Sequence, residues 1–268
     1  MVIAAAFLAA VVLGGALFAP LIAPNDPLAV DLTIRLSPPG PGHWLGTDHL
    51  GRDVLSRLIW GARASLGSVA AILCLVVLIS TAVGCLAGYV GGKADAVLMR
   101  ICDVFLTFPT FILAMFMVGI LGTGMVNVII AIAMTHWAWY ARIIRSLVLS
   151  LRNRKYVLAA RVTGSSRTRI LGRHILPPVS AQLVVLATLD IGHMMLHVAG
   201  LSFLGLGVQP PSPEWGVMIN DARQYIWEHP RLIMLPGLMI FVSVMAFNLL
   251  GDALRDRLDP HVSKGMGA

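Results

Sequence analysis

The sequence predicts an all-α polytopic membrane protein with six transmembrane helices, and three observations carry that prediction. Hydrophobic residues make up 57% of the 268 and charged residues only 12%, with a mean hydropathy of +0.83, which leaves too little polar surface for a soluble chain of this length. Apolar stretches of about 20 residues, enough to cross a hydrocarbon core of about 30 Å as a helix, recur along the chain. Between Arg142 and Arg173 stand nine Lys or Arg residues and no acid, a segment that belongs outside the bilayer and matches the basic bias of short cytoplasmic loops. The net charge of +7 is a topology signal and excludes a nucleic-acid partner: outside that segment 11 basic residues meet 13 acidic ones, which leaves −2.

The first apolar run, Val2 to about Ile22, lacks the basic start of a signal peptide and exceeds its apolar core, so it is expected to be a retained span. Residues 25–63 carry four acids and four arginines, with a break at Ser37-Pro-Pro-Gly-Pro-Gly42, and Trp44 and Trp60 suit the headgroup level. Five further spans are expected at about Ala64–Val90, Val104–Leu121, Met125–Leu147, Val179–Val208 and Leu232–Leu250. Gly84, Gly88 and Gly92 repeat every four residues and leave one helix face bare for a close neighbour. Arg100 and Asp103 stand one turn apart and can pair, and Pro109 should bend the third span. The chain thus divides into residues 1–63, a transmembrane unit 64–254 with a cytoplasmic loop at 148–177, and a cytoplasmic tail 255–268. Both termini are expected inside, with the 25–63 and 209–231 segments outside. Cys74, Cys85 and Cys102 lie in or beside apolar stretches without a Cys-x-x-Cys pair and read as small hydrophobes.

Within the basic loop, Leu151 to Arg161 reads as a short helix and Thr163-Gly164-Ser165-Ser166 as a turn, Gly suiting a C-cap and Ser the next N-cap. A second short helix is expected to run to about His174 and to stop before Pro177-Pro178. No catalytic constellation accompanies it. The Gly-rich phosphate loop, the Gly-x-Ser-x-Gly elbow and His-Glu-x-x-His are all missing from the sequence, so the chain is not expected to be an enzyme by itself or to hold a covalent cofactor.

The fifth span carries the chemistry. Asp190, His193 and His197 fall within about a 60° arc of one helix face. Ionisable groups at bilayer depth either face a cavity or ion path or form a buried cluster that locks helix packing. Two histidines at i and i+4 also have metal-ligand spacing, and imidazole suits nickel, copper, zinc or cobalt. His136 in the fourth span is a further candidate for the same cavity.

Tyr156-Val-Leu-Ala159-Ala160, then Gly164, then His174-Ile-Leu176-Pro177 resembles the coupling motif of the membrane subunits of binding-protein-dependent ABC importers. Its spacing is kept in full, with Leu158 where the family usually has Glu. The run from His43 to Arg57 resembles the external signature of dipeptide, oligopeptide and nickel permeases, and Thr188 to Gly207, with its two histidines, resembles the nickel branch and its second permease subunit. The resemblance implies a type I ABC importer permease fold in a bacterial inner membrane. It implies a sister permease forming a heterodimer, two cytoplasmic ATPases that hold the ATP, and a periplasmic nickel-binding protein, with nickel, free or chelated, as the transported substrate. It implies that Tyr156, Ala159, Ala160, Gly164, His174, Leu176 and Pro177 couple to an ATPase groove, and that Asp48, Arg52, Asp53, Glu214 and Trp215 lie where the binding protein docks. A dipeptide or oligopeptide permease fits every motif except the histidines. A passive metal channel leaves the coupling motif without a purpose, and a metalloenzyme lacks a carboxylate base within the His pair.

Overall fold

Residues 2–258 are described by a computed structural model, and within them the chain is helical without a named strand. Helix α1 (Val2–Leu17) and the short α2 (Ala19–Ile22) open it. Residues 23–53 then fold as an irregular apron over one end of the bundle. There follow α3 (Val54–Val90), α4 (Gly92–Thr107), α5 (Thr110–Leu121), α6 (Met125–Leu151), α7 (Lys155–Val162), α8 (Arg167–Ile170), α9 (Leu176–Phe203), α10 (Trp215–Ala222) and α11 (Arg231–Leu258). Each expected span contains a helix. Three helical stretches, Val54–Val90, Arg167–Phe203 and Arg231–Arg257, are long and apolar enough to cross a membrane, or four if α4 and α5 count as one broken span. Large apolar side chains cover the outside of the bundle, Phe7, Leu78, Phe116, Ile120 and Phe241 each being more than half exposed. Such a surface is stable only against lipid or another apolar partner.

At 37 residues, α3 is about 55 Å long and outreaches a hydrocarbon core of about 30 Å. It begins ten residues before the expected span, and those residues are the base on which the apron sits. Its other end packs on α6. A Cβ on Gly84 would stand 2.7 Å from the Ala141 carbonyl oxygen, and one on Gly88 would stand 2.8 Å from Val148 Cβ, so the two backbones meet where the glycine face was expected. Gly92 is not part of that contact. It has open space around it and a φ of +59°, and it serves the turn into α4.

The third expected span is not one helix. The two halves α4 and α5 meet at 89°, because Pro109 forces Phe108 out of the helical region, to φ −100° and ψ 142°. Helix α4 is held sideways on α6 by two ion pairs. Asp95 pairs with Arg145, and Asp103 lies 2.9 Å from Arg142, closer than the 3.9 Å to its expected partner Arg100.

The hairpin departs from expectation in its second arm. After the turn, α8 passes through a wide π-type turn, Leu171–Ile175, straight into α9. Pro177 and Pro178 occupy the first turn of α9, where their missing N–H groups cost little because the ladder has already been re-phased by the π-turn. The prolines therefore do not end the helix. Arm and fifth span form a single rod from Arg167 to Phe203.

Candidate functional site

Helix α6 presents His136 and Tyr140 one turn apart, hence on one face, and α9 presents Asp190 to them. One carboxylate oxygen of Asp190, Oδ2, accepts from His136 Nε2 at 2.9 Å and from the Tyr140 hydroxyl at 3.1 Å. Asp190 is 8% exposed and Tyr140 fully buried. An ionised Asp at bilayer depth costs about 2.5–3.5 kcal/mol on insertion scales, and hydrogen bonds to a charged group return about 1.5–3 kcal/mol each. Together the two bonds return about 3–6 kcal/mol, enough to offset the cost of placing the charge there.

Asp190, His136 and His193 line an open recess of about 250 Å³, together with Leu106, Thr110 and Trp139. His193 Nδ1 stands 3.8 Å from Asp190 Oδ1, and its side chain is 76% exposed. His197 takes another course. Its Nδ1–H donates to the His193 carbonyl at 2.8 Å and its ring tilts on Phe111 at 5.7 Å, outside the recess. Of the four candidates from sequence, three are thus brought together and His197 is not. Among the described residues no three His, Cys, Asp or Glu side chains are placed to hold a metal ion. Tyr140 escaped the sequence reading, although its four-residue offset from His136 was the available signal.

At the opposite end of α3 from the apron, the hairpin stands out from the bundle. Val157, Ile170 and Ile175 are its buried anchors, and Arg152 fastens its start by donating to the Gly88 carbonyl at 2.8 Å. Gly164 has φ +79°, and the turn closes through Gly164 N–H to Arg161 O at 3.1 Å and Ser165 N–H to Ala160 O at 3.0 Å. Ser166 caps α8 by accepting from Arg169 N–H. Tyr156, Ala159, Gly164 and Pro177 are exposed, whereas Ala160, His174 and Leu176 are half-buried. Tyr156 and His174 lie near each other, with ring centroids 6.2 Å apart, so the two ends of the motif meet on one face. Leu158 and Val162 add exposed apolar surface to α7, 42% and 89% respectively.

The five candidates on the apron side are all buried: Asp48 8%, Arg52 1%, Asp53 2%, Glu214 0% and Trp215 0%. Their side chains face inward, so the docking expectation concerns the surface that they support. Asp53 caps α3 through Ser56 N–H at 2.8 Å and meets His43 Nδ1 at 3.0 Å. Glu214 caps α10 through Val217 N–H at 3.1 Å and accepts from the Ser65 hydroxyl at 2.8 Å. Trp215 Nε1–H donates to the Leu58 carbonyl at 3.0 Å, its ring filling the space beside Gly61. Arg52 bridges Asp48 at 2.7 Å and Asp221 at 3.3 Å. These residues tie the apron, α3 and α10 together, and the side chains exposed at this end are others, Trp44 at 71% and Trp227 at 91%.

Comparison with known proteins agrees with this architecture. The family model described as "Binding-protein-dependent transport system inner membrane component" matches residues 80–264. The chain is 62% identical over 239 residues to the nickel transport system permease protein NikC of Escherichia coli (strain K12), a match spanning 89% of this chain and 86% of the relative. It is 46% identical over 222 residues to the glutathione transport system permease protein GsiD of Pectobacterium atrosepticum, across 83% of this chain and 74% of that one. With the probable D,D-dipeptide transport system permease protein DdpC of Escherichia coli (strain K12) it shares 41% identity over 244 residues, 91% of this chain and 82% of the relative.

Proposed function

The chain belongs to the family of binding-protein-dependent transport system inner membrane components, and on that premise we propose that it is the permease subunit of an ATP-binding-cassette importer that carries nickel, free or chelated, across the bacterial inner membrane. The observation that carries the nickel reading is the recess in which Asp190 and His193 lie side by side, in a chain 62% identical to a nickel permease. One carboxylate oxygen and one exposed imidazole attract a cation without enclosing it, and a transported ion must leave again.

In this reading a sister permease completes the pathway, two ATPases supply the energy, and a periplasmic binding protein delivers the cargo. The exposed face of α7, with Tyr156, Ala159 and Gly164, seats in an ATPase groove as an amphipathic helix does. The bilayer holds six spans with both termini inside, and the apron faces the periplasm. The alternative is a dipeptide or oligopeptide permease, since relatives 46% and 41% identical are named for glutathione and D,D-dipeptide transport.

Reconstitution of the whole importer in proteoliposomes tests both. His193→Ala should cut nickel uptake by about tenfold or more while assembly persists, and His197→Ala should change it little because His197 lies off the recess. Gly164→Val forces a β-branched residue to φ +79°, a strain of about 1–2 kcal/mol, and should lower both ATPase copurification and uptake. Wild-type nickel uptake in His193→Ala would take that imidazole off the path, whereas ATP turnover and uptake driven by a peptide and not by nickel would transfer the assignment to a peptide permease.

A further inference from the structure

We propose that His136 and Tyr140 are positioning residues for transport: together they pin one oxygen of Asp190 so that the other faces the recess as a fixed contact for a cationic cargo. The inference rests on the transport reading above and adds the device that orients its carboxylate.

A carboxylate only accepts, so the Tyr140 hydroxyl at 3.1 Å must be the donor, and so must His136 Nε2 at 2.9 Å. Both spend their hydrogen bonds on Oδ2. Among the described residues Oδ1 has no hydrogen-bond partner, and its nearest polar neighbour is His193 Nδ1 at 3.8 Å, beyond hydrogen-bond reach. Among the described residues His136 Nδ1 is buried with no partner. Nε2 is committed to Asp190 and Nδ1 is enclosed. His136 therefore turns neither nitrogen to the cargo. It is a support, and the cargo-facing groups are Asp190 Oδ1 and the imidazole of His193.

The clasp joins two different helices. His136 and Tyr140 ride on α6, which packs on α3 through Gly84 and Gly88, whereas Asp190 and His193 ride on α9, the rod that continues into the hairpin. A movement of the hairpin is thus carried by the same helix as the carboxylate, and α6 supplies the reference against which the carboxylate is held.

The test uses the complete importer in proteoliposomes, with nickel supplied through its binding protein, and reads the nickel imported per ATP hydrolysed. Replacing both donors, His136→Leu with Tyr140→Phe, should lower that ratio about tenfold, the scale of losing a hydrogen bond to a charged group, while ATP turnover stays within about twofold of wild type. His136→Gln retains an amide N–H near the position of Nε2 and should restore most of the ratio when Tyr140 is intact. Tyr140→Phe alone removes a single oxygen at constant shape and should give an intermediate ratio even if the double variant fails to assemble. A double variant with the wild-type ratio would overturn the proposal, and so would one whose ATP turnover falls in step with uptake, because the clasp would then be packing only. Asp190→Asn separates the two levels. If it imports nickel as wild type does, the cargo does not use this recess, and the positioning role falls with it while nickel import itself stands. If it is impaired while the double variant is normal, only the positioning role falls.

Discussion

The apron and the hairpin both look, in sequence, like polar segments rich in arginine, yet they use charge in opposite ways. On the apron Arg52 and Arg57 are each 1% exposed and share Asp48 and Asp221 as partners. On the hairpin side, Arg142 and Arg145 are paired with carboxylates, and Arg154, Lys155, Arg161, Arg167, Arg169 and Arg173 form no ion pair among the described residues. The buried arginines at this end are matched by carboxylates from the apron and from α10, and they form a polar core beneath the loop. The hairpin's charges are left for the solvent, the membrane surface or a partner. A charge buried with its counter-charge fixes shape, and a charge left without one advertises a side of the membrane.

The largest expected effect tests whether these really are two sides. In a background without the three native cysteines, single cysteines at Ser166 and Ser212, both exposed, should react with a membrane-impermeant maleimide in an all-or-none way, Ser166 from the cytoplasm only and Ser212 from the periplasm only. Reaction of both from one side would remove the six-span topology and the comparison with it.

Next in size is the energetic difference. Arg52→Ala removes one of the two guanidiniums that Asp48 and Asp221 share, leaving only Arg57 at 3.4 and 3.9 Å, and breaking a buried pair costs about 3–5 kcal/mol. Thermal unfolding in detergent should move down by on the order of 10 °C. Arg169→Ala on the hairpin removes an exposed charge and should stay within about 0.5 kcal/mol. Equal shifts in the two variants would mean that apron and hairpin charges are energetically alike, and the contrast would be lost.

The same contrast decides what was legible. Local signals read correctly: Pro109 breaks its span, Gly164 takes a positive φ, Ser166 caps α8, and Gly84 with Gly88 admits α6. Each depends on a residue's own backbone chemistry or on one helical face. The apron was less legible because its meaning is long-range. Arg52 and Asp221 are 169 residues apart and Ser65 and Glu214 149 apart, so an Asp or Glu in a polar loop looks solvent-facing until its partner is known. The passage of α8 into α9 was misread for a related reason. The π-turn that re-phases the ladder before Pro177 has no residue signature of its own, while the prolines carry a strong one for stopping. In the recess, α9's own spacing grouped Asp190 with both histidines, but packing against α6 gave Asp190 to His136 and Tyr140 and turned His197 to Phe111.

The smallest expected effect is a pH dependence confined to the apron. His49 stacks on Tyr225, with ring centroids 5.8 Å apart and planes at 21°, and so joins the 25–63 segment to the 209–230 one. Burial is the first cause that holds its imidazole below the ordinary 6.5, Arg52 and Arg57 act in the same direction, and Asp48 and Asp221 oppose them. A base whose folded pKa is depressed binds its proton more tightly when unfolded. The contribution of a neutral, stacked His49 is therefore complete above about pH 6.5 and is lost as the pH falls through that value towards the lowered one. Hydrogen exchange of the apron should accelerate modestly between about pH 7.5 and about pH 5.5, after correction for the intrinsic rate, while the hairpin keeps its exchange pattern. His49→Phe keeps an aromatic ring against Tyr225 without a titrating group and should flatten the apron's response. An apron that loosens equally in His49→Phe would place the pH sensitivity in other groups and leave the stack a purely apolar joint.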